Sequence, residues 1–431
     1  MKKVIIVTPH FPPSNLAAVH RSRLFAKHLP KFGWEPIILT VHHSHYEEAL
    51  DWNLHQLLPA SLRIEHTAAL PIKPFRVIGD IGLRGMPFLL AKLRKLVMKE
   101  KVDFVYIPIP SFYGALLGRA IHALTGVAYG IDYIDPWVHE FAGSNQKYSR
   151  HWWSTKLANK LEPIAVKKAS LITGVAEGYY KPVYERNLHL ADSSVHAAMP
   201  YGGEKADHMA LHQLDVSPYL FKKNLQKFVF VYAGAMLPKA YEPMEQIFEV
   251  IRNNRNYFND IEFHFIGTGK SPNDANGYNI KPIAEQFGLW QEVVFEYPKR
   301  IPYLDVLVHL SIADGVFVLG STEPHYTPSK VYQGILSEKP VFAVLHQEST
   351  ASQVIAASKA GVVLTFKGES DLNKISASFL PKLYEFQGFT AAFDPQQVDH
   401  TAFEQYSAYN VTKILADHLD LALEKSKKHV A

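Results

Sequence analysis

Phe228-Val229-Phe230-Val231-Tyr232-Ala233-Gly234 reads as a buried strand that stops at a glycine. Its run of β-branched and aromatic residues has no polar alternation, the pattern of a parallel strand covered on both faces. The preceding stretch, 218–227, is polar and basic and reads as a linker. The strand opens a second series of strands and helices, with later strands expected over 261–266, 293–295, 315–319 and 341–345.

A first series runs upstream. A strand over 4–7 leads through Pro9-His10-Phe11-Pro12-Pro13-Ser14-Asn15 into a helix on which Ala18, Ser22, Phe25, Leu29 and Phe32 share a face. Pro30 ends or kinks that helix, Gly33 follows, and a strand over 36–41 completes one β-α-β unit. Helices over 88–99, 114–124 and 152–168 alternate with strands over 104–107, 128–133 and 171–175. Two such runs predict an α/β fold of two doubly wound, parallel-sheet, Rossmann-like domains facing across a cleft. The expected division is a first domain over 1–216, a linker over 217–227 and a second domain over 228–385. In the helical segment over 386–431 the last helix, 411–425, has no strand after it and must dock on one domain or bridge both.

With 431 residues the chain exceeds one ordinary core, and 47% hydrophobic with 20% charged residues is the balance of a globular enzyme. A net charge of +4 suits anionic ligands but is too small to argue for nucleic acid. The absence of cysteine excludes disulfides, thiolate metal sites and cysteine nucleophiles. The apolar run after Met1-Lys2-Lys3 is too short for a signal peptide. No stretch approaches the roughly 18 apolar residues of a membrane span. The expectation is a cytoplasmic protein, with peripheral contact at the inner face of the membrane left open.

Thr327-Pro328-Ser329-Lys330 reads as a helix start, with Thr327 as cap and Pro328 at the first helical position. Free amides at Ser329 and Lys330, joined by the Lys330 ammonium, would hold a phosphate, and Gln333 one turn on would meet a hydroxyl. A plain helix cap with a surface lysine is the simpler reading of this stretch taken alone. Its company favours the ligand. Gly234 with Lys239, Gly267-Thr268-Gly269-Lys270, Glu296-Tyr297-Pro298-Lys299-Arg300 and Gly320-Ser321-Thr322-Glu323 all follow successive strands, where α/β folds bind ligands. Gly267-x-Gly269 lacks the third glycine of a dinucleotide fingerprint, since Pro272 stands there, which argues against a nicotinamide enzyme.

The ordered set Tyr232-Ala233-Gly234, Phe265-Ile266-Gly267-Thr268-Gly269, Val293-Val294-Phe295, Ala313-Asp314-Gly315-Val316 and Pro328-Ser329-Lys330-Val331-Tyr332 resembles the GT-B glycosyltransferases, specifically the retaining family 4. Pro12-Pro13, Asp132-Tyr133-Ile134-Asp135-Pro136-Trp137, Val175-Ala176-Glu177-Gly178 and Pro200-Tyr201-Gly202-Gly203 extend the resemblance over nearly the whole chain. It implies a hexosyltransferase-like enzyme of cell-envelope polysaccharide synthesis. Such an enzyme takes a sugar from a nucleoside-diphosphate donor to a saccharide or lipid-linked acceptor, with no cofactor. The resemblance also implies that Gly234, Lys239, Gly267, Ser329 and Lys330 hold the diphosphate, that Tyr297 meets the base and Gln333 the ribose. Glu323 or His325 would contact the transferred sugar. The resemblance makes 1–216 the acceptor-side domain and 228–385 the nucleotide-sugar-binding domain, with the segment 386–431 returning toward the first. Ala235 stands where the family usually has an arginine, Gln333 where it has a glutamate, and Ser14 and Asn15 on the acceptor side where it has a glycine pair.

Departure of a nucleoside diphosphate needs its charge stabilised, which basic groups and a helix start do without metal. No Asp-x-Asp is present, and His42-His43-Ser44-His45 reads as a solvated loop rather than a metal site. Asp135 either orients the acceptor hydroxyl or serves a structural Asp-Pro-Trp turn, and Arg21 either reaches an acceptor phosphate or lies on a solvated flank. The basic amphipathic stretch over 84–101 and the pair Trp152-Trp153 read either as core-facing elements or as contacts to an anionic membrane. A sugar-nucleotide epimerase and a degenerate sugar-nucleotide binder without transfer are the alternatives.

Overall fold

The computed structural model describes residues 1–72, 79–138, 146–324 and 326–428. The chain forms two compact units, Met1–Tyr201 with Ala408–Ala431, and Gly202–Ser407.

The first unit holds seven strands: β1 (Lys2–Val7), β2 (Trp34–Val41), β3 (Arg63–Thr67), β4 (Phe104–Ile109), β5 (Ala128–Tyr133), β6 (Leu171–Gly174) and β7 (Val195–Ala198). They pair in parallel in the order β3-β2-β1-β4-β5-β6-β7. Helices Ile81–Glu100, Ala115–Thr125 and Arg150–Val166 cover one face, burying Leu89, Leu93, Leu117, Ile121 and Val166 against Ile5, Ile37, Val105 and Ile131. Helices Ala17–His28 and Ala408–Lys428 cover the other, where Leu415 and Leu419 meet Phe25, Leu29 and Trp34. The last helix is also tied by polar contacts. Trp34 Nε1 donates to Asp420 at 3.0 Å, and Lys2 Nζ lies 2.6 Å from the same carboxylate.

The second unit is a six-stranded sheet of β8 (Phe228–Ala233), β9 (Ile261–Ile266), β10 (Val294–Tyr297), β11 (Gly315–Leu319), β12 (Val341–His346) and β13 (Gly361–Phe366), in the order β10-β9-β8-β11-β12-β13. All neighbours are parallel, and Phe230, Phe263, Phe317, Phe342 and Phe386 form an aromatic centre. The order reverses between β8 and β11, so their carboxyl ends flank the switch point at which such sheets hold ligands.

Three strands escaped the sequence reading. β3 and β7 are edge strands with half-exposed, polar sequences, Arg63-Ile64-Glu65-His66-Thr67 and Val195-His196-Ala197-Ala198, that carry little apolar signal. β13 alternates buried and half-buried residues at the other sheet's edge. The division between units falls at Tyr201, not at 216. The helix Lys205–Gln213 belongs to the second unit, where Tyr303 Oη donates to Asp207 at 3.0 Å, and Gly203 pairs with Ser407. Among the described residues no helix is long and apolar enough to cross a membrane.

Candidate functional site

Strand β8 delivers Gly234 to the switch point with φ 123°, a backbone conformation that side chains rarely adopt. Space matters there as well as φ. A Cβ on Gly234 would lie 3.2 Å from Lys330 Cε and 3.3 Å from Nζ. The glycine therefore opens the gap into which Lys330 folds. The ammonium sits 3.8 Å from the centre of the Tyr232 ring and donates to the Tyr232 hydroxyl at 2.5 Å. Among the described residues no carboxylate pairs with it. Burial pulls Lys330 from its ordinary value down to about 7.

The helix that carries Lys330 differs from expectation. It spans Lys330–Leu336 with Ser329 at the cap position and no side-chain cap. Thr327 instead shares a hydrogen bond of 2.8 Å with the Thr350 hydroxyl, so Thr327 is not the N-cap. Val331 N–H bonds Pro328 O and Tyr332 N–H bonds Ser329 O, which uses two of the early amides in turn contacts. The cation of this site is a side chain packed on an aromatic ring.

Around this pair the loops are tied together. Gly234 N–H donates to Ile266 O, and Gly267, at φ 71°, donates its N–H to Tyr297 O, both at 2.8 Å. Thr322 N–H donates to Lys239 O at 3.0 Å, joining the loops after β8 and β11. The Lys239 ammonium lies out in solvent, 3.3 Å from Glu369. Glu323, half-buried, donates its N–H to Ser321 Oγ at 3.3 Å. His325 lies outside the described residues. Burial raises the Tyr297 phenol to about 12, and its hydroxyl is 3.3 Å from His264 Nδ1.

Two residues of this unit carry weight that the sequence reading did not assign. His208 Nε2 lies 3.0 Å from Gln333 Oε1, so the amide is already engaged by an imidazole from 125 residues away. Burial lowers the His208 pKa despite that bond. Glu296 is buried and accepts from Thr268 Oγ1 and from the amides of Asn279, Ile280 and Lys281, at 2.8 to 3.0 Å. It sets the course of the loop after Gly267. Its place in Phe295-Glu296-Tyr297, at a strand end before a basic turn, was the available signal.

In the first unit the acceptor-side candidates separate. Ser14 is buried and donates to Glu48 Oε1 at 2.5 Å; His10 Nδ1 lies 2.8 Å from the same oxygen. Burial would raise the Glu48 carboxyl, but His10 and Ser14 outweigh it and bring it to about 2. Asn15 is half-buried beside them, and Asp135 is exposed just beyond β5. Arg21 is neither on a solvated flank nor at the surface. Its guanidinium is fully buried, grips Asp132 through Nε at 2.5 Å and Nη2 at 3.0 Å, and donates from Nη1 to the carbonyls of Met199 and Pro200. Desolvation works against that charge, yet Asp132 keeps the Arg21 pKa raised. Thr173 Oγ1 completes the carboxylate's partners at 2.8 Å and meets Tyr106 Oη at 2.7 Å. Among the described residues no group of three or more histidines and carboxylates is arranged to hold a metal ion.

No protein-family model and no curated protein matches the chain. Solved structures do. HepE from Anabaena in complex with UDP-glucose aligns over 98% of this chain and 100% of its own, at TM-score 0.62 and 12% identity. A glycosyltransferase from Rickettsia africae covers 98% of both chains at TM-score 0.59 and 14% identity. Sucrose-phosphate synthase from Thermosynechococcus elongatus covers 100% of this chain and 98% of its own, at TM-score 0.61 and 12% identity. The likeness is one of fold, and the class it defines is GT-B, with two parallel α/β domains in one chain.

Proposed function

We propose that the chain is a glycosyltransferase that moves a sugar from a nucleoside-diphosphate donor to a glycan or lipid-linked acceptor, with retention and without a metal. The observation that supports it is Lys330, a partly buried cation with no acidic partner among the described residues, folded against Gly234 at the switch point of the second sheet. A cation deprived of water attracts an anion of matching size, and the diphosphate of a sugar nucleotide is one. HepE, of the same fold, is known in complex with UDP-glucose, which makes a uridine donor the first to try.

In this reading the bond between the anomeric carbon and the diphosphate oxygen breaks while the acceptor hydroxyl bonds the carbon. The leaving oxygen gains charge, and the Lys330 ammonium meets it. Gly234 lets the backbone approach the phosphates, and Gly267, Ser329 and Lys239 line their surroundings. Tyr297 lies toward the base. Glu323 and His325 address the sugar, and Asp135 orients the acceptor hydroxyl, whose proton leaves with the departing diphosphate or to solvent.

The test is calorimetry and turnover with UDP-, GDP-, ADP- and dTDP-sugars in EDTA. Binding and transfer from one of them, reduced by orders of magnitude in Lys330→Ala, supports the proposal. Absence of both across the panel overturns it. The His208–Gln333 contact favours a second reading, a sugar-nucleotide binder that does not transfer, because the residue expected to hold the ribose already has a partner. Tight diphosphate binding without turnover would establish that reading instead.

A further inference from the structure

We infer that the outer surface of the helix layer on the first unit docks onto an anionic lipid bilayer, chiefly through the helix Arg150–Val166. At 3.6 residues per turn, Trp153, Leu157 and Ile164 fall within about 40° of one another on that helix. They are 57%, 41% and 47% exposed, while Ala158, Ala165 and Val166 hold the opposite side to the sheet. The apolar ridge is therefore not the core-facing side. Lys156, Lys160 and Lys167 flank it on one side and Arg150 and Lys168 on the other, all exposed.

The same composition continues across the layer. The helix Ile81–Glu100 exposes Phe88 at 38% and Met98 at 66% beside Arg94, Lys95 and Lys99, and the intervening helix Ala115–Thr125 exposes Leu124 at 54%. All three helices pack on one face of one sheet, so their outward sides belong to one surface. Glu100 and Glu162 are the only carboxylates on the three helices. Glu162 is buried and paired with Arg186, and Glu100 is bonded by Arg63 at the layer's end. The surface therefore offers cations around apolar side chains with almost no compensating negative charge, on a chain whose net charge is only +4.

That pattern selects the occupant. A second copy of the same face would set cation against cation. A nucleic acid would use the lysines but leave Leu157 and Ile164 in water. An anionic bilayer meets both, with lysines at the headgroups and Trp153, Leu157 and Ile164 at the acyl boundary. This inference stands apart from the sugar-transfer reading, and its test involves no sugar.

The full-length protein is floated with vesicles of phosphatidylcholine, with and without phosphatidylglycerol, at low and high salt. Flotation is expected only with phosphatidylglycerol, weakening as salt rises. Lys156→Glu with Lys160→Glu, and separately Trp153→Ser, lower the bound fraction by about tenfold or more with circular dichroism unchanged. Absence of flotation at low salt, or undiminished binding by the charge-reversed variant, overturns the inference. So does a preference for duplex nucleic acid over vesicles, or a dimer that Trp153→Ser dissolves.

Discussion

The Lys330 ammonium lies 3.8 Å from the centre of the Tyr232 ring and donates to its hydroxyl. An aromatic face and a neutral phenol are weak compensation for a charge out of water. Lys330 in the folded chain is accordingly pulled from 10.5 to about 7. Because the folded value is depressed, the free protein bears a penalty that is fully present below about pH 7 and disappears as pH rises toward 10.5. Lys330→Met should therefore stabilise the free protein at pH 6 by on the order of 1–2 kcal/mol, after allowance for partial exposure, and by much less at pH 10. Urea unfolding at the two pH values measures this. A destabilised Lys330→Met at pH 6 would show that the lysine already has its counter-charge.

A diphosphate beside Lys330 restores the missing counter-charge and raises its pKa in the complex. Binding should then take up a proton above about pH 7, and affinity should be level below that pH and fall by up to about tenfold per pH unit above it. Calorimetry with UDP in two buffers of different ionisation enthalpy reads the proton directly. Equal observed heats in the two buffers at pH 8 would remove Lys330 from the diphosphate site.

Gly234→Ala tests the space that Lys330 occupies. The substitution forces a side chain into φ 123° and places a Cβ 3.2 Å from Lys330 Cε. A loss of about 1–2 kcal/mol in stability is expected, with donor affinity reduced more than the stability loss explains. Chemical denaturation and UDP titration of the same preparation separate the two effects.

Gln333→Glu places a carboxylate against His208, whose Nε2 is 3.0 Å from the present amide oxygen. Burial now keeps that imidazole's pKa below the ordinary value, and the new charge should raise it. The added stability is present below the unfolded histidine value and is lost as pH rises through the raised folded one. NMR titration of the histidine ring carbons follows the shift. If Gln333 meets the ribose, the same variant tightens donor binding; unchanged affinity would place the ribose elsewhere.

The parts of this fold that announce themselves in sequence are those buried on both faces. Strands β8 and β11 read clearly because they are unbroken apolar runs, and β1 and β9 because their apolar residues outweigh Lys2, Lys3, Glu262 and His264, whereas β3 and β7 need only one paired edge and carry Arg63, Glu65 and His196. Gly234 stands directly after the buried run of β8, and Lys330 opens the helix Lys330–Leu336 after a loop, places that the alternation of runs and turns displays. His208, Glu296 and Asp132 were not legible. Their roles depend on partners 125, 28 and 111 residues distant, and residue type does not encode which distant group will arrive.

Asp132 gives the sharpest test of that last point. It receives two bonds from Arg21 and one from Thr173 in a site with no solvent exposure of either charged side chain. Removing the carboxylate leaves the guanidinium charged, since its pKa is far above any working pH, and leaves Nε and Nη2 without acceptors. Asp132→Ala should therefore cost about 3–5 kcal/mol, an amount able to unfold the first unit. Replacing both partners, as Arg21→Met with Asp132→Leu, removes the stranded charge and should recover most of the loss, although Met199 and Pro200 forfeit a donor. The double-mutant cycle also tests the placement of Arg21. An Arg21 that served a ligand at the surface would leave stability nearly unchanged in Arg21→Met, while the buried pair requires Arg21→Met alone to be severely destabilising and Asp132→Leu to relieve it.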